Sequence, residues 1–238
     1  MSYKNVFDSV SGFMRPKNVS GVWKKDFDPQ SKSFECKVEE EMIADNSLVQ
    51  AAKISNGTKL RTYRIAISAT GEYTAYHGGT VADGLAAVVT TLNRINGVYE
   101  KDFSITLSLI ANNDLVIYTN ASTDPFTNST SSNALINNNN SSLQAAIGTA
   151  NYDIGHVVGI AGSGLAGFAV VCKNNSKGRG TTGIANPIGD PFDIDYVAHE
   201  IGHQFGGSHT FNGNIGSCLT NISNNSAYEP GSGTTIMA

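Results

Sequence analysis

The eleven residues His199-Glu200-Ile201-Gly202-His203-Gln204-Phe205-Gly206-Gly207-Ser208-His209 constrain this chain more than any other stretch, because they read H-E-x-x-H-x-x-G-x-x-H. Histidines four residues apart on an α-helix project from one face towards one point, so His199 and His203 can share a metal ion. Gly206 can adopt the left-handed backbone that ends a helix abruptly, and His209 then returns as a third ligand. Three nitrogen ligands suit zinc and leave its fourth position open, as a catalytic rather than a structural site requires. Glu200 has no ligand duty and is placed to act as a general base towards a metal-activated water. Three of the chain's five histidines fall in this stretch, which argues against an incidental helix.

Other stretches extend the pattern: Gly164-Leu165-Ala166, Cys172, the run Asp193-Ile194-Asp195-Tyr196-Val197-Ala198 before the motif, and Gly231-Ser232-Gly233-Thr234-Thr235-Ile236-Met237-Ala238 after it. Together they resemble the metzincin metallopeptidases, and among these the adamalysin (reprolysin)-like branch, especially its bacterial members, over roughly Lys59 to Ala238. The resemblance implies an α/β (α+β zincin) catalytic domain with a twisted mixed sheet of about five strands, helices on one side and an active-site helix along the cleft floor. It implies a zinc-dependent endopeptidase with one catalytic Zn2+ on His199, His203 and His209, and Glu200 as general base. Met237 would form a hydrophobic floor beneath the histidines, with Gly206 ending the helix. Gly164, Leu165 and Ala166 would form an edge strand, whose unpaired N–H and C=O groups let an extended polypeptide substrate add as another strand.

This chain departs from the family pattern in places. Thr210 follows the third histidine where venom-type members carry aspartate, so their substrate preference does not transfer. The sequence stops one residue after Met237, so a truncated C-terminal lobe is expected. In relatives the cysteine matching Cys172 bridges to one beyond the methionine turn; that partner is absent here, leaving Cys172 unpaired or bridged to Cys218. Residues 1–58 are set apart from 59–238 as an N-terminal segment that reads as an irregular stretch or the tail of a propeptide. Cys36 in it reads either as a latency switch or as an incidental thiol, since Phe34-Glu35-Cys36-Lys37-Val38 lacks the usual proline and glycine of a switch. Two other readings compete with the peptidase: a catalytically silent zinc-binding adhesion module and a latent zymogen fragment.

Composition excludes several classes. A net charge of −4 offers no basic surface for nucleic acid or an anionic membrane. No apolar run approaches the ~18 residues of a membrane span. Only 15% of residues are charged, and the abundance of Asn, Ser, Thr and Gly suits a secreted protein, although Met1-Ser2-Tyr3-Lys4-Asn5 has no apolar signal core. The three cysteines form no C-x-x-C pair, no G-x-S-x-G occurs, and Gly178-Arg179-Gly180-Thr181-Thr182-Gly183 lacks the lysine of a phosphate loop.

Periodicity predicts a strand through Tyr63, Ile65, Ile67 and Ala69, then a helix capped by Thr80 and ended by Gly97. Strands follow at Phe103–Leu109 and Leu115–Tyr118, and a buried central strand at Gly155–Ile160. Asn120 to Ser142 reads as a mobile loop before a short helix at Leu143–Ile147. Asp124-Pro125 and nearby amides offer oxygen ligands for Ca2+, but EF-hand spacing is absent. Asp193 or Asp195 is expected to cap the active helix, and His156 and His77 read as core or strand-end histidines rather than ligands.

Overall fold

The computed structural model describes residues 36–39 and 59–238. Among these, six strands form one sheet in the spatial order β1 (Cys36–Glu39), β5 (Gly164–Gly167), β6 (Gly180–Gly183), β4 (Ile154–Gly159), β2 (Arg61–Ala69) and β3 (Ile105–Leu109). Only the β5–β6 pair is antiparallel. Parallel neighbours need a long crossover, and helices α1 (Gly71–Tyr76) and α2 (Val81–Phe103) supply it between β2 and β3. The period-2 pattern of β2 sends Ile65, Ile67 and Ala69 to a face shared with Val88, Leu92, Ile95 and Tyr99 of α2, while Ala66 faces the other way.

That opposite face is covered by α3 (Ser132–Ala146), so helices lie on both sides of the sheet rather than on one. The asparagine-rich stretch expected as a mobile loop therefore holds an α-helix that starts at Ser132. Leu135, Ile136 and Leu143 give it a fully buried face. Its amides are used within the protein. Asn139 Nδ2 donates to Gly178 O at 2.8 Å, and Asn140 both accepts from Gly178 N at 3.1 Å and donates to Asn175 O at 3.0 Å. These bonds clamp the chain that runs between β5 and β6. Asp124 is likewise occupied, accepting from Gly71 N and Phe126 N.

Two element boundaries also differ from expectation. Helix α2 opens with the Thr80–Asp83 capping box but runs past Gly97 to Phe103, where Ser104 turns left-handed at φ 53° and its N–H bonds Tyr99 O. One interior glycine costs only about 1 kcal/mol, too little to end a helix with so much buried surface. The expected strand Leu115–Tyr118 is a 3₁₀ turn, Asn113–Val116, followed by a single bridge from Ile117 to Ala69. The Asn113 side chain explains this. Its amide accepts from Ile67 N at 2.8 Å and donates to Ile67 O at 2.9 Å, so it pairs with β2 where β3 has ended and a further strand is unnecessary.

At the far side of the sheet, β5 is not an edge among the described residues. Cys36–Glu39 runs parallel along its outer side, with Cys36 opposite Gly164 and Glu39 opposite Gly167. The Asn113 pairing is testable by substitution. Asn113→Ala leaves the Ile67 N–H and C=O buried without partners and should cost roughly 2–4 kcal/mol in urea unfolding; a loss within ~0.5 kcal/mol would remove Asn113's role as a strand substitute.

Candidate metal centre

The motif enters the core on a continuous helical run: α4 (Gly189–Phe192), a π-wound turn Asp193–Ala198, and α5 (His199–Gln204). Asp193 does not cap it as expected. Its carboxylate lies mid-run and accepts from Thr91 Oγ1 at 2.7 Å, with burial raising its pKa. Asp190, a turn earlier, pairs with Arg94 at 2.7 Å. Tyr99 Oη donates to Ala198 O at 2.7 Å, immediately before the first histidine. All three contacts come from α2, so this long helix sets the position of the motif. Every residue of α5 is buried, and Glu200 is completely enclosed.

His199, His203 and His209 meet through their Nε2 atoms. The separations are 3.0 Å for His199–His203, 3.2 Å for His203–His209 and 3.3 Å for His199–His209. Each ring's other nitrogen faces a backbone carbonyl: Nδ1 of His199 donates to Ile236 O at 2.5 Å, that of His203 to Gly207 O at 2.6 Å, and that of His209 to Asn221 O at 2.7 Å. A carbonyl only accepts, so each Nδ1 carries the hydrogen and each Nε2 presents a lone pair. Burial, and then the two facing imidazoles, push His203 well below the ordinary histidine range. Three converging lone pairs repel one another unless a cation lies between them, and neutral imidazoles with carbonyl-bound outer nitrogens are zinc donors. The donor set fits the metal that the motif implies.

Backbone geometry completes the centre. Gly206 stands at φ 96°, ending the helix as expected, and Gly207 N reaches back to Gly202 O at 2.8 Å. A side chain at Gly207 would meet Met237, whose Cε lies 3.5 Å from the Cβ position. Met237 is 1% exposed and belongs to the same buried apolar cluster as Val197, Ala198 and Ile201 of the helical run. Gly164, Leu165 and Ala166 lie in β5, and the chain leaving that strand is bound to α5 through Ala169 N to His203 O at 3.0 Å and Val170 N to Gln204 O at 2.9 Å. Cys172 and Cys218 are both free thiols, so the bridge weighed for them is not formed. Cys172 follows β5, its N–H on Asp153 O, whereas Cys218 sits in a turn beyond the third histidine beside Gly213.

Sequence reading missed a polar layer behind the helix. Gln204, an unspecified position of the motif, accepts through Oε1 from His156 Nδ1 at 3.0 Å and donates from Nε2 to Gly155 O at 2.8 Å. His156 Nε2 meets Thr182 Oγ1 at 3.0 Å, so β4 and β6 both hold the end of α5. His156 is thus a core histidine, as expected, and burial holds its pKa at about 4. The unfolded chain takes up this proton near pH 6.5 and the folded one only near pH 4. The resulting stability is full above pH 6.5 and falls as pH drops towards 4. Unfolding of zinc-free wild type and His156→Gln in urea should show the wild type's advantage shrinking over that window, by up to roughly 3 kcal/mol. A difference that stays constant from neutral pH down to pH 4 would contradict a buried neutral His156.

No match emerged from the search of curated proteins. The sequence does match the model of the metallo-peptidase family M12B, reprolysin-like, over residues 59–238, a span that contains α5, the three histidines and Met237. On that match and the three-histidine geometry it contains, the chain belongs to the reprolysin-like M12B metallopeptidases.

Proposed function

We propose that this protein is a secreted, zinc-dependent endopeptidase acting on extended polypeptide. The observation that carries the reading is the convergence of three Nε2 lone pairs, each fixed in its tautomer by a carbonyl behind it, with Glu200 next to His199 in the chain. His199, His203 and His209 would hold the metal. When bound, zinc would supply Lewis-acid polarisation of a peptide carbonyl and lower the pKa of water. Glu200 takes the proton of the attacking water and returns it to the leaving amine. Met237 and Gly206 keep the histidines in place, and the backbone of Gly164, Leu165 and Ala166 would offer the substrate a strand to pair with once Cys36–Glu39 is displaced from it. The bacterial branch is the closer relative in this reading, because Thr210 stands where venom-type members carry aspartate.

The test is cleavage of a denatured protein by wild type and Glu200→Ala at equal zinc occupancy. Loss of the base should lower the rate by roughly 10²–10⁴. Equal cleavage by both proteins would remove Glu200 from the mechanism. Zinc-loaded proteins that both fail to cleave would favour a silent adhesion module or a latent form of the same fold.

One observation favours a second, compatible reading, in which residues 1–58 are a separate latency segment. The pairing of Cys36–Glu39 along β5 uses the N–H and C=O groups that a substrate strand would need. The Cys36 side chain, weighed as a switch thiolate, lies outside the described residues, so the reading rests on the backbone pairing. A chain beginning at Lys59 should cleave with kcat/KM raised about tenfold or more, equivalent to at least ~1.4 kcal/mol of competition. An unchanged kcat/KM would leave the segment without an inhibitory role.

A further inference from the structure

A carboxylate outside the motif joins the third histidine to the methionine turn. Glu229 is 9% exposed, and each of its oxygens is used. Oε1 accepts from Thr210 Oγ1 at 2.5 Å and from Thr235 Oγ1; Oε2 accepts from Thr234 N at 2.7 Å and Thr235 N at 3.1 Å, with Thr234 Oγ1 at 3.4 Å. The main chain reinforces the junction. Glu229 N donates to Thr210 O at 2.8 Å and Thr210 N donates to Met237 O at 3.0 Å. The turn closes around this carboxylate. Gly233 is left-handed at φ 67°, and a Cβ there would lie 3.1 Å from Glu229 Oε2 and 2.4 Å from the Ala238 Cβ. Burial opposes the charge, but the hydroxyl and amide donors outweigh it and keep the acid ionised.

The connections run onward to two of the three ligand histidines. Thr210 directly follows His209. Thr234 and Thr235 directly precede Ile236, whose carbonyl fixes the His199 tautomer. We infer that Glu229 is a positioning residue for the metal centre: its carboxylate locks the loop carrying His209 to the turn carrying the Ile236 carbonyl and Met237, so that two ligands and the floor beneath them move as one body. This rests on reading the three histidines as a zinc site. The side-chain hydrogen bonds of Glu229 go to Thr210, Thr234 and Thr235, each in the chain next to or near a residue that holds the centre. Its effect is on how tightly the ligands are held in the geometry the metal needs, since outer partners of this kind are worth about 10–100-fold in metal affinity.

The experiment compares wild type, Glu229→Gln and Thr210→Val for the rate of zinc loss to a competing chelator, and for Tm with and without zinc. Glu229→Gln keeps the shape but places an amide NH2 among donors, whereas Thr210→Val cuts only the link to the His209 loop. Both variants should fold. Glu229→Gln should lose zinc about 10–100-fold faster, Thr210→Val by a smaller factor, and zinc should raise Tm less in each than in wild type. If zinc loss is unchanged, or if Tm falls equally with and without zinc, Glu229 is only a structural brace and the inference is overturned. A zinc-retaining protein that cleaves nothing even without residues 1–58 would instead sink the peptidase reading, and zinc retention would still decide the role of Glu229. A wild type that takes up no zinc would overturn both.

Discussion

Three neutral imidazoles cannot be crowded nitrogen to nitrogen without something to offset the repulsion of their lone pairs, and most of this structure serves to hold them there. Each ring is gripped from behind by a carbonyl from a different place: Gly207 at the helix end, Asn221 in the loop beyond it, and Ile236 in the methionine turn. Bonds through Nδ1 fix both the tautomer and the ring plane, so Nε2 is left to face the common centre. The arrangement is strained as a bare cluster and suited to a cation.

Supports for this centre come from every layer of the fold. Helix α2 fixes the start of the active run through Thr91, Arg94 and Tyr99, while β4 and β6 fix its end through His156, Thr182 and Gln204. The chain leaving β5 donates to the carbonyls of His203 and Gln204. The helix is therefore held at both ends by separate elements, and all of its residues are buried. A catalytic geometry needs this kind of rigidity, because small displacements of ligands or base are costly to rate.

Asparagine accounts for much of the distance between sequence and fold. Propensity treats it as a loop residue, and in a run such as Asn137 to Asn140 it suggests exposure. Here its amide imitates the backbone. Asn113 pairs with both polar groups of Ile67, and Asn96 does the same for Leu107 at the outer side of β3, at 2.9 and 2.8 Å. Asn139 and Asn140 clamp the loop at Gly178. None of these partners is near in sequence, so no local pattern could have marked them.

Local chemistry was enough for the face that His199 and His203 share, the glycine that turns the chain, the Thr80 cap and the alternation of β2, because each depends on spacings that a helix or strand imposes within a few residues. The buried place of His156 was also legible from its apolar strand, whereas that of Met237 followed only from the resemblance of its turn to the family's. Tertiary structure alone decided that Gln204 would bind His156, that Glu229 would sit inside the turn below the histidines, that Cys172 and Cys218 would stay apart, and that Cys36–Glu39 would line β5. These are contacts between distant segments, and their partners are set by how the layers stack, which a one-dimensional pattern does not contain.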